Sequence, residues 1–262
     1  MSSSGADVLV ARLRAAGCVF AEEEAALLMA EAADGDDLER RVAARVAGTP
    51  LELVLGWVEF CGLRLAVAPG VFVPRQRTAL LVHEAAALLL AGGVLVDLGC
   101  GNGAIAAAVR SEVPRLDAWA VDVDPAAVAC AQQNLPPDRV LEGDLYAALP
   151  VPLRGRVDVV AANAPYVPTE SIAMMPREAR DHEHLVALDG GADGLDVQRR
   201  VIGGAPAWLR PGGHVLVETG RPQVEATRRA MVAAGFTARV ATDDETGGTV
   251  VVGAQPGTPG RT

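Results

Sequence analysis

The sequence predicts an α/β protein in which a mostly parallel sheet follows a small N-terminal helical domain. Residues 6–47 carry apolar side chains at three- and four-residue steps, and from about residue 78 short β-branched segments alternate with helical ones. Half of the 262 residues are hydrophobic, which is enough apolar material for a buried core. Strands that alternate with helices are typical of a parallel sheet with helices on both faces.

The N-terminal stretch predicts a helical domain over residues 1–55. Ala, Glu and Arg dominate this stretch and β-branched residues are few, as helices prefer, while Gly17 and Gly35 divide it into segments. Residues 56–77 differ in character, because two short alternating runs flank Cys61–Gly62. That pattern predicts a hairpin that connects the helical domain to the rest of the chain.

Residues 78–254 are expected to form the main α/β domain, with helices at Ala104–Ser111 and Pro125–Asn134. The last two predicted strands are separated only by residues 242–248, which is too short for a parallel crossover, so the last strand should run antiparallel. The Gly/Pro-rich tail, residues 255–262, is expected to be disordered. The predicted strands are Val94–Leu98, Ala118–Asp122, Val140–Glu142, Val157–Ala161, His214–Glu218, Thr237–Ala241 and Thr249–Val252.

Composition limits the partners that the protein can have. The 33 acidic residues outnumber 23 arginines, there is no lysine, and the net charge of -10 argues against bulk electrostatic binding of nucleic acid. The longest uncharged apolar run, residues 85–96, is shorter than the roughly 20 residues of a membrane span. The four cysteines show no zinc or redox spacing, and the first residues lack the features of a signal peptide. We therefore expect a cytoplasmic protein without a membrane partner.

A glycine-rich loop is the first candidate for a ligand site. A predicted strand runs into Gly99, Gly101, Asn102 and Gly103, and a helix follows. Glycines let a ligand approach the backbone, and a helix N-terminus offers free N–H groups. The dinucleotide fingerprint also fits this loop, which by itself leaves two cofactors open. Asp97, just before the loop, favours S-adenosylmethionine, which carries an ammonium and a sulfonium group and no phosphate.

Two further acidic residues follow the next predicted strands. Asp122, with Val123 after it, closes the second strand of the α/β domain, where a carboxylate can accept hydrogen bonds from both ribose hydroxyls. Asp144, with Leu145 after it, follows the third strand and can accept from the adenine amino group. Because the carboxyl ends of parallel strands meet at one edge of a sheet, we expect these residues to bind the same cofactor.

The segment Asn163-Ala164-Pro165-Tyr166 follows the fourth strand of this domain and predicts a site for methylation of a planar nitrogen. An amide nitrogen is a poor nucleophile because its lone pair is delocalised. The Asn163 side-chain oxygen and the Ala164 carbonyl oxygen can accept hydrogen bonds from the two N–H groups of the amide. These bonds orient the amide and favour pyramidalisation of its nitrogen in the transition state. Tyr166 can stack on the planar group. We predict these four residues as the catalytic motif, with Asn163 also against the cofactor.

The sequence resembles the release-factor glutamine methyltransferases, the HemK/PrmC family. The resemblance covers about residues 8–252 and rests on the loop and motif above and on four further segments. These are Gly56–Leu63, which is similar to the family's connecting segment, Val73–Arg75, which is similar to the start of its Ile-Pro-Arg-Pro-Glu-Thr-Glu motif, and two runs after the catalytic motif, Glu178–Glu183 and Ala187–Leu195.

This resemblance implies a Rossmann-like class I methyltransferase sheet and a cofactor, S-adenosylmethionine, that becomes S-adenosylhomocysteine. It also implies methylation of the glutamine amide in a Gly-Gly-Gln loop of peptide-chain release factors. The helical domain would then recognise the substrate or partner. Phe72, Pro74, Arg75 and Tyr166 are the predicted substrate-binding residues.

The chain departs from the family at three places, and other readings stay open. Ala164 stands where the family has Pro, Gln76-Arg77 where it has Pro-Glu, and His184 where it has Pro. The latter two leave the substrate open: a small molecule or a nucleobase amine is one alternative, and a paralogue that binds the cofactor without turnover is another. Arg75 and Arg77 are either solvated or in contact with an acidic partner. No metal is predicted, since residues 181–184 lack a further spaced ligand set.

Overall fold

The computed structural model describes residues 3–174 and 184–257, and it has the predicted α/β architecture. The helices are α1 (Ser3–Ala15), α2 (Ala21–Glu31), α3 (Gly35–Val46), α4 (Leu51–Leu55), α5 (Ala79–Ala87), α6 (Ala104–Glu112), α7 (Pro125–Asn134), α8 (Asp196–Gly204) and α9 (Val224–Ala233). The strands are β1 (Trp57–Phe60), β2 (Leu63–Ala66), β3 (Val94–Leu98), β4 (Asp117–Asp122), β5 (Val140–Glu142), β6 (Val157–Ala162), β7 (Leu209–Glu218), β8 (Thr237–Thr242) and β9 (Thr249–Ala254). The predicted disordered tail falls partly on residues 258–262, which lie outside the described residues.

Strands β3 to β9 form one sheet in the order β5-β4-β3-β6-β7-β9-β8. Strands β5, β4, β3, β6 and β7 pair in parallel, and β9 runs antiparallel to β7 and β8 on either side of it. The mostly parallel sheet with an antiparallel last strand is therefore confirmed. After β3 the chain adds β4 and β5 on one side, then returns to add β6 on the other. Ligands bind at the carboxyl ends of the strands where the order reverses in this way.

The central strands are buried on both faces of the sheet. Leu95 and Val159 pack into the core on one face, and their neighbours Val96 and Val160 pack into the core on the other. Side chains of a strand point alternately to its two faces, so strands covered on both sides need apolar residues throughout. This explains why the predicted strands are continuous apolar runs rather than alternating ones.

Strand β7 is longer than the sequence predicts: it begins at Leu209, whereas the predicted strand begins at His214. Pro211–Gly213 is typical of a turn, and the sequence analysis placed the strand after it. In the structure the strand continues through these residues, and its pairing with β6 shifts register between Val157 and Val159. An irregularity of this kind lets a strand bend without ending.

The helices α1 to α4 enclose an apolar cluster of their own, which includes Leu13, Leu28 and Val42. Glu24 on α2 and Arg45 on α3 form a half-buried ion pair, with 2.6 Å between Glu24 Oε2 and Arg45 Nε. The antiparallel pair β1–β2 follows these helices. The division of the chain into helical domain, connector and α/β domain stays a prediction. No helix within the described ranges is long and apolar enough to cross a membrane.

The side chain of Asn134, the last residue of α7, joins the hairpin to the glycine loop. Its Oδ1 accepts from the Ala66 N–H at 2.8 Å, and its Nδ2 donates to the Ala66 carbonyl at 3.0 Å and to the Asn102 carbonyl at 2.8 Å. Asn102, which is almost fully buried, adds a fourth bond from its own Nδ2 to the Ala66 carbonyl at 3.1 Å. One amide thus fixes the position of β2 against the loop after β3.

We expect Asn134→Ala to destabilise the protein by about 2–3 kcal/mol, because it removes three hydrogen bonds and leaves a backbone donor of the hairpin unpaired. The free energy of unfolding, measured by urea denaturation, checks this. The matched control is Gln133→Ala on the same helix, whose amide makes an exposed 3.5 Å contact with the Ala129 carbonyl. Equal stability of the two variants would contradict the role assigned to Asn134.

Candidate active site

A cavity of about 960 Å³ opens at the carboxyl edge of the sheet. The helical segment contributes Phe20, Glu24, Leu27 and Leu51 to its wall. Most of the residues predicted for the site lie on the same wall, namely Phe72, Pro74, Arg75, Gly99, Gly101, Asn102, Asp122, Val123, Asp144, Leu145, Asn163, Ala164, Pro165 and Tyr166. A volume of this size suits a cofactor together with part of a substrate. The structure therefore brings the glycine loop and the catalytic motif into one cavity.

The glycine loop turns sharply because its three glycines have left-handed backbone angles. The φ angles of Gly99, Gly101 and Gly103 are 69°, 55° and 78°, a region that costs other residues energy. A Cβ on Gly103 would lie 2.8 Å from Leu135 Cδ1, so this glycine also permits close packing against the end of α7. Gly103 lies behind the loop and not on the cavity wall. The contact of Gly103 with the cofactor stays a prediction.

Asp97 is fully buried behind the same loop and does not line the cavity. Its Oδ2 accepts from the Ala106 N–H of α6 at 3.2 Å, and its Oδ1 has no hydrogen-bond partner among the described residues. Burial, with a smaller contribution from the charge of Asp122, raises the pKa of Asp97 to about 7. An unpartnered buried oxygen is costly unless a donor completes it. Asp97 thus lies behind the glycine loop, and the structure shows no direct path from the cavity to its unpartnered oxygen among the described residues.

Asp122 lies on the cavity wall at the end of β4 and braces the loop. Its Oδ2 accepts from the Gly101 N–H at 2.8 Å, and its Oδ1 accepts from the Asp124 N–H at 3.0 Å. Burial raises the pKa of Asp122. Asp124 in turn caps α7 through the Ala126 N–H and pairs with His184 Nδ1 at 2.5 Å. His184, the departure noted in the sequence, is thus held beside the predicted cofactor residues.

Asp144 lies at the end of β5 and is about half exposed. Its Oδ2 accepts from Arg200 Nη2 of α8 at 2.6 Å. Leu145, the next residue, has a positive φ of 50°, so the chain turns here toward the cavity. The sequence analysis did not identify Arg200, because no local pattern shows that α8 passes this strand end.

Asn163 follows β6 and its amide is oriented by Thr78. Asn163 Nδ2 donates to Thr78 Oγ1 at 3.3 Å, and Thr78 is almost fully buried. The amide nitrogen therefore faces Thr78, which leaves Oδ1 to accept from a ligand in the cavity. Ala164 is buried beside it. Thr78 is a residue of the candidate site that the sequence analysis missed, since nothing local connects it to the predicted catalytic motif.

The backbone of Tyr166 is packed against the glycine-rich run after the motif. A Cβ on Gly194 would clash with the Tyr166 carbonyl oxygen, and a Cβ on Gly190 would clash with the Pro165 carbonyl oxygen. Gln223 Nε2 donates to the same Tyr166 carbonyl at 2.9 Å. This is why glycines occur in Ala187–Leu195, which the resemblance singled out. The other segment, Glu178–Glu183, lies outside the described residues.

Arg77 lies on the cavity wall, where its side chain is partly exposed and bonded to two residues of the site. Its Nη2 donates to the Tyr166 hydroxyl at 2.6 Å, and its Nε donates to Glu218 Oε1 at 3.2 Å. Glu218, at the end of β7, is 1% exposed, and burial raises its pKa against the opposing effects of Thr78 and Arg77. Arg75 stands over the Phe72 ring at 5.2 Å, with both residues on the cavity wall. Glu218 was not predicted as a site residue.

The arrangement contains no group of His, Cys, Asp and Glu side chains that could hold a metal within the described residues. The candidate Asp181, His182 and Glu183 lie outside that part of the chain. The described site therefore offers acidic and amide oxygens and a glycine loop as its binding groups.

Comparison with known proteins defines the class. The family model described as methyltransferase small domain matches residues 62–178. A methyltransferase from Pyrococcus furiosus has the same fold, with a TM-score of 0.55 at 17% identity over 74% of this chain and 90% of that one. Ribosomal protein L11 methylase from Lactobacillus delbrueckii subsp. bulgaricus has a TM-score of 0.52 at 14% identity, over 72% of this chain and 84% of that one. The two structures show the fold, and the family model matches a methyltransferase domain over part of the chain.

Two relatives define the family. The release factor glutamine methyltransferase of Geobacter sulfurreducens is 36% identical over 220 residues, which is 82% of this chain and 76% of that protein. That of Moorella thermoacetica is 38% identical over 200 residues, 73% of this chain and 69% of that protein. The chain belongs to the release factor glutamine methyltransferase family.

The raised pKa of Asp97 predicts a pH dependence of stability. The folded chain keeps this proton up to about pH 7, whereas an unfolded aspartate, at its ordinary value of 3.8, loses it near pH 4. The folded state then binds more protons between those values, so the free energy of unfolding should fall as the pH rises through that window. Asp97→Asn should reduce this slope by up to about 1.4 kcal/mol per pH unit. Denaturation curves at pH 5, 6 and 7 measure it, and an unchanged slope would refute the assignment.

Proposed function

We propose that the protein transfers the methyl group of S-adenosylmethionine to the side-chain amide nitrogen of a glutamine in a peptide-chain release factor. The observation that carries this proposal is the Asn163 amide, which Thr78 holds with its oxygen available on the wall of a cavity that also contains the glycine loop. Family membership gives the same activity. We further propose that this reaction occurs in the cytoplasm.

The residues at the strand ends fit S-adenosylmethionine. The Asp122 carboxylate on the cavity wall suits ribose hydroxyls. Asp97 is buried behind the glycine loop, next to the cofactor site, and we assign it no direct contact with the cofactor. Asp144 and Leu145 line the same wall and suit the adenine. Membership of a methyltransferase family favours a methyl donor over a dinucleotide. When bound, this cofactor supplies a methyl group on a sulfonium leaving group.

The chain's own groups position the nitrogen that receives the methyl group. Asn163 Oδ1 and the Ala164 carbonyl oxygen accept hydrogen bonds from the two N–H groups of the glutamine amide. These two bonds align the lone pair of the amide nitrogen with the methyl carbon. The nitrogen held in this way would take the methyl group that the cofactor supplies, with the thioether as leaving group, and would then lose one proton to water. The two oxygens stabilise the charge that develops on these N–H groups, which is catalysis by fixed dipoles. No general base is needed before the transfer.

Ala164 in place of the family's Pro preserves this arrangement. The acceptor is the backbone carbonyl, which both residues have, and the alanine side chain is buried at 1% exposure. We propose that the helical segment recognises the release factor, because Phe20, Leu27 and Leu51 extend the cavity wall beyond the catalytic motif. The glutamine side chain would then enter between this segment and Asn163.

The cofactor assignment has a direct test. Isothermal titration should show binding of S-adenosylhomocysteine and no binding of NAD. Asp122→Asn should weaken the binding about tenfold to a hundredfold, because hydrogen bonds to a charged acceptor are worth about 1.5–3 kcal/mol. The surface control Asp138→Asn should bind like the wild type. Binding of NAD, or equal affinity of the two variants, would contradict this assignment.

The reaction has its own test. The protein is incubated with labelled S-adenosylmethionine and a release factor, and the labelled peptide is mapped by mass spectrometry. Label is expected on the glutamine of the Gly-Gly-Gln loop. Asn163→Ala should lower kcat by about a hundredfold or more and leave cofactor affinity nearly unchanged, while Gln133→Ala, a surface amide, should be fully active. No label on that glutamine would refute the substrate, and full turnover by Asn163→Ala would refute the catalytic motif.

A further inference from the structure

The side chain of Arg77 connects three parts of the chain at the active site. Arg77 belongs to the short turn Gln76–Thr78, which precedes α5. Its guanidinium donates to the Tyr166 hydroxyl, in the segment after β6, and to the Glu218 carboxylate at the end of β7. Arg77 and Tyr166 both line the cavity. The guanidinium is therefore a bridge between a wall of the acceptor site and the edge of the sheet.

Glu218 anchors this bridge. Its side chain is 2% exposed, Oε1 accepts from Arg77, and Oε2 has no hydrogen-bond partner among the described residues. A buried carboxylate without a cation is strongly destabilising, so the ion pair with Glu218 holds the guanidinium in place, although the Arg77 side chain is 41% exposed. A planar guanidinium that donates to two partners at once also has little rotational freedom.

Tyr166 is consequently fixed at both ends. Its carbonyl oxygen accepts from Gln223 and lies against Gly194, while its hydroxyl accepts from Arg77. The neighbouring residue of the same turn, Thr78, holds the Asn163 amide. One three-residue turn thus contacts both ends of the catalytic motif.

We propose that Arg77 is a positioning residue for methyl transfer: it holds the Tyr166 ring as a fixed wall of the acceptor site, with Glu218 as its anchor. This inference rests on the proposed function. Misplacement of a reacting group by about 1 Å can cost about a hundredfold in rate. Removal of the Arg77 side chain is therefore expected to lower kcat and to leave KM for the release factor unchanged. An arginine that contacts an acidic partner directly would instead raise KM in a salt-dependent way.

The kinetic test separates positioning from structural support. Arg77→Met should lower kcat about tenfold or more and also reduce stability, because it leaves Glu218 buried without its cation. The double variant Arg77→Met/Glu218→Met removes both charges, so it should recover stability but not kcat. The control Arg228→Gln, which breaks a surface pair with Glu225, should be fully active. Recovery of kcat in the double variant, or an effect on KM alone, would overturn the proposal.

A double-mutant cycle with Tyr166→Phe tests whether Arg77 acts through the hydroxyl. Tyr166→Phe removes only the oxygen that Arg77 contacts, and Arg77→Met in that background should lower kcat little further. Additive losses would overturn the proposal. Partial rescue is expected from Arg77→Lys, which keeps a cation near Glu218 but lacks the second donor arm.

A spectroscopic test is independent of the substrate. The chain has two tyrosines, so a protein labelled with ¹³C at the tyrosine Cζ gives two resonances, and Tyr166→Phe assigns them. Arg77→Met should shift the Tyr166 resonance and leave that of Tyr146, whose hydroxyl donates to the Val201 carbonyl, unchanged. An unmoved Tyr166 resonance would overturn the proposal. A wild-type protein that fails to methylate release factors, while the resonance still moves, would refute the proposed function and not the Arg77–Tyr166 contact.

Discussion

The parallel pairing of β4, β3 and β6 is the constraint on which the active site depends. Asp97 is in register with Ala120 on one side and with Ala161 on the other. This register brings the ends of the three strands to the same edge, so the glycine loop, Asp122 and Asn163 follow at one level. No segment of the site has to be long, because Asp122 ends β4 while the glycine loop and Asn163 directly follow β3 and β6. Function here is a consequence of where buried apolar strands end.

The same edge needs support from outside the sheet, and the hairpin region provides it. Asn102 and Asn134 hold Ala66 against the glycine loop, and the chain then returns along the cavity to the turn Gln76–Thr78. The position of that turn decides where Thr78 meets Asn163. A defect at the hairpin would therefore reach the catalytic motif through the backbone that leads to this turn. The stability of the fold and the geometry of the site are linked at this junction.

The sequence predicts the elements well and the long-range contacts poorly. Apolar periodicity and glycine punctuation locate the strands, the loop and Asn163, since each signal is contained within a few residues. Arg77 and Glu218, by contrast, are 141 residues apart. The residues next to an arginine in the sequence do not show whether it is solvated or paired with a distant carboxylate. The pairing of Thr78 with Asn163 is hidden for the same reason. The start of strand β7 at Leu209 is hidden as well, because Pro211–Gly213 is typical of a turn. The structure shows that Leu209 pairs with Val157 of β6, ahead of that turn-like segment.

The departures from the family pattern change how the site is held together rather than the groups that face the reaction. Gln76 donates to the Glu59 carbonyl at 3.2 Å, Arg77 bonds Glu218 and Tyr166, and His184 pairs with Asp124. Each altered side chain therefore has a partner within the protein, and Ala164 retains the carbonyl that the chemistry needs. Asn163 and its neighbouring carbonyl, the groups that we propose for the reacting amide, are unaltered. The departures thus favour the same reaction with a differently braced catalytic motif.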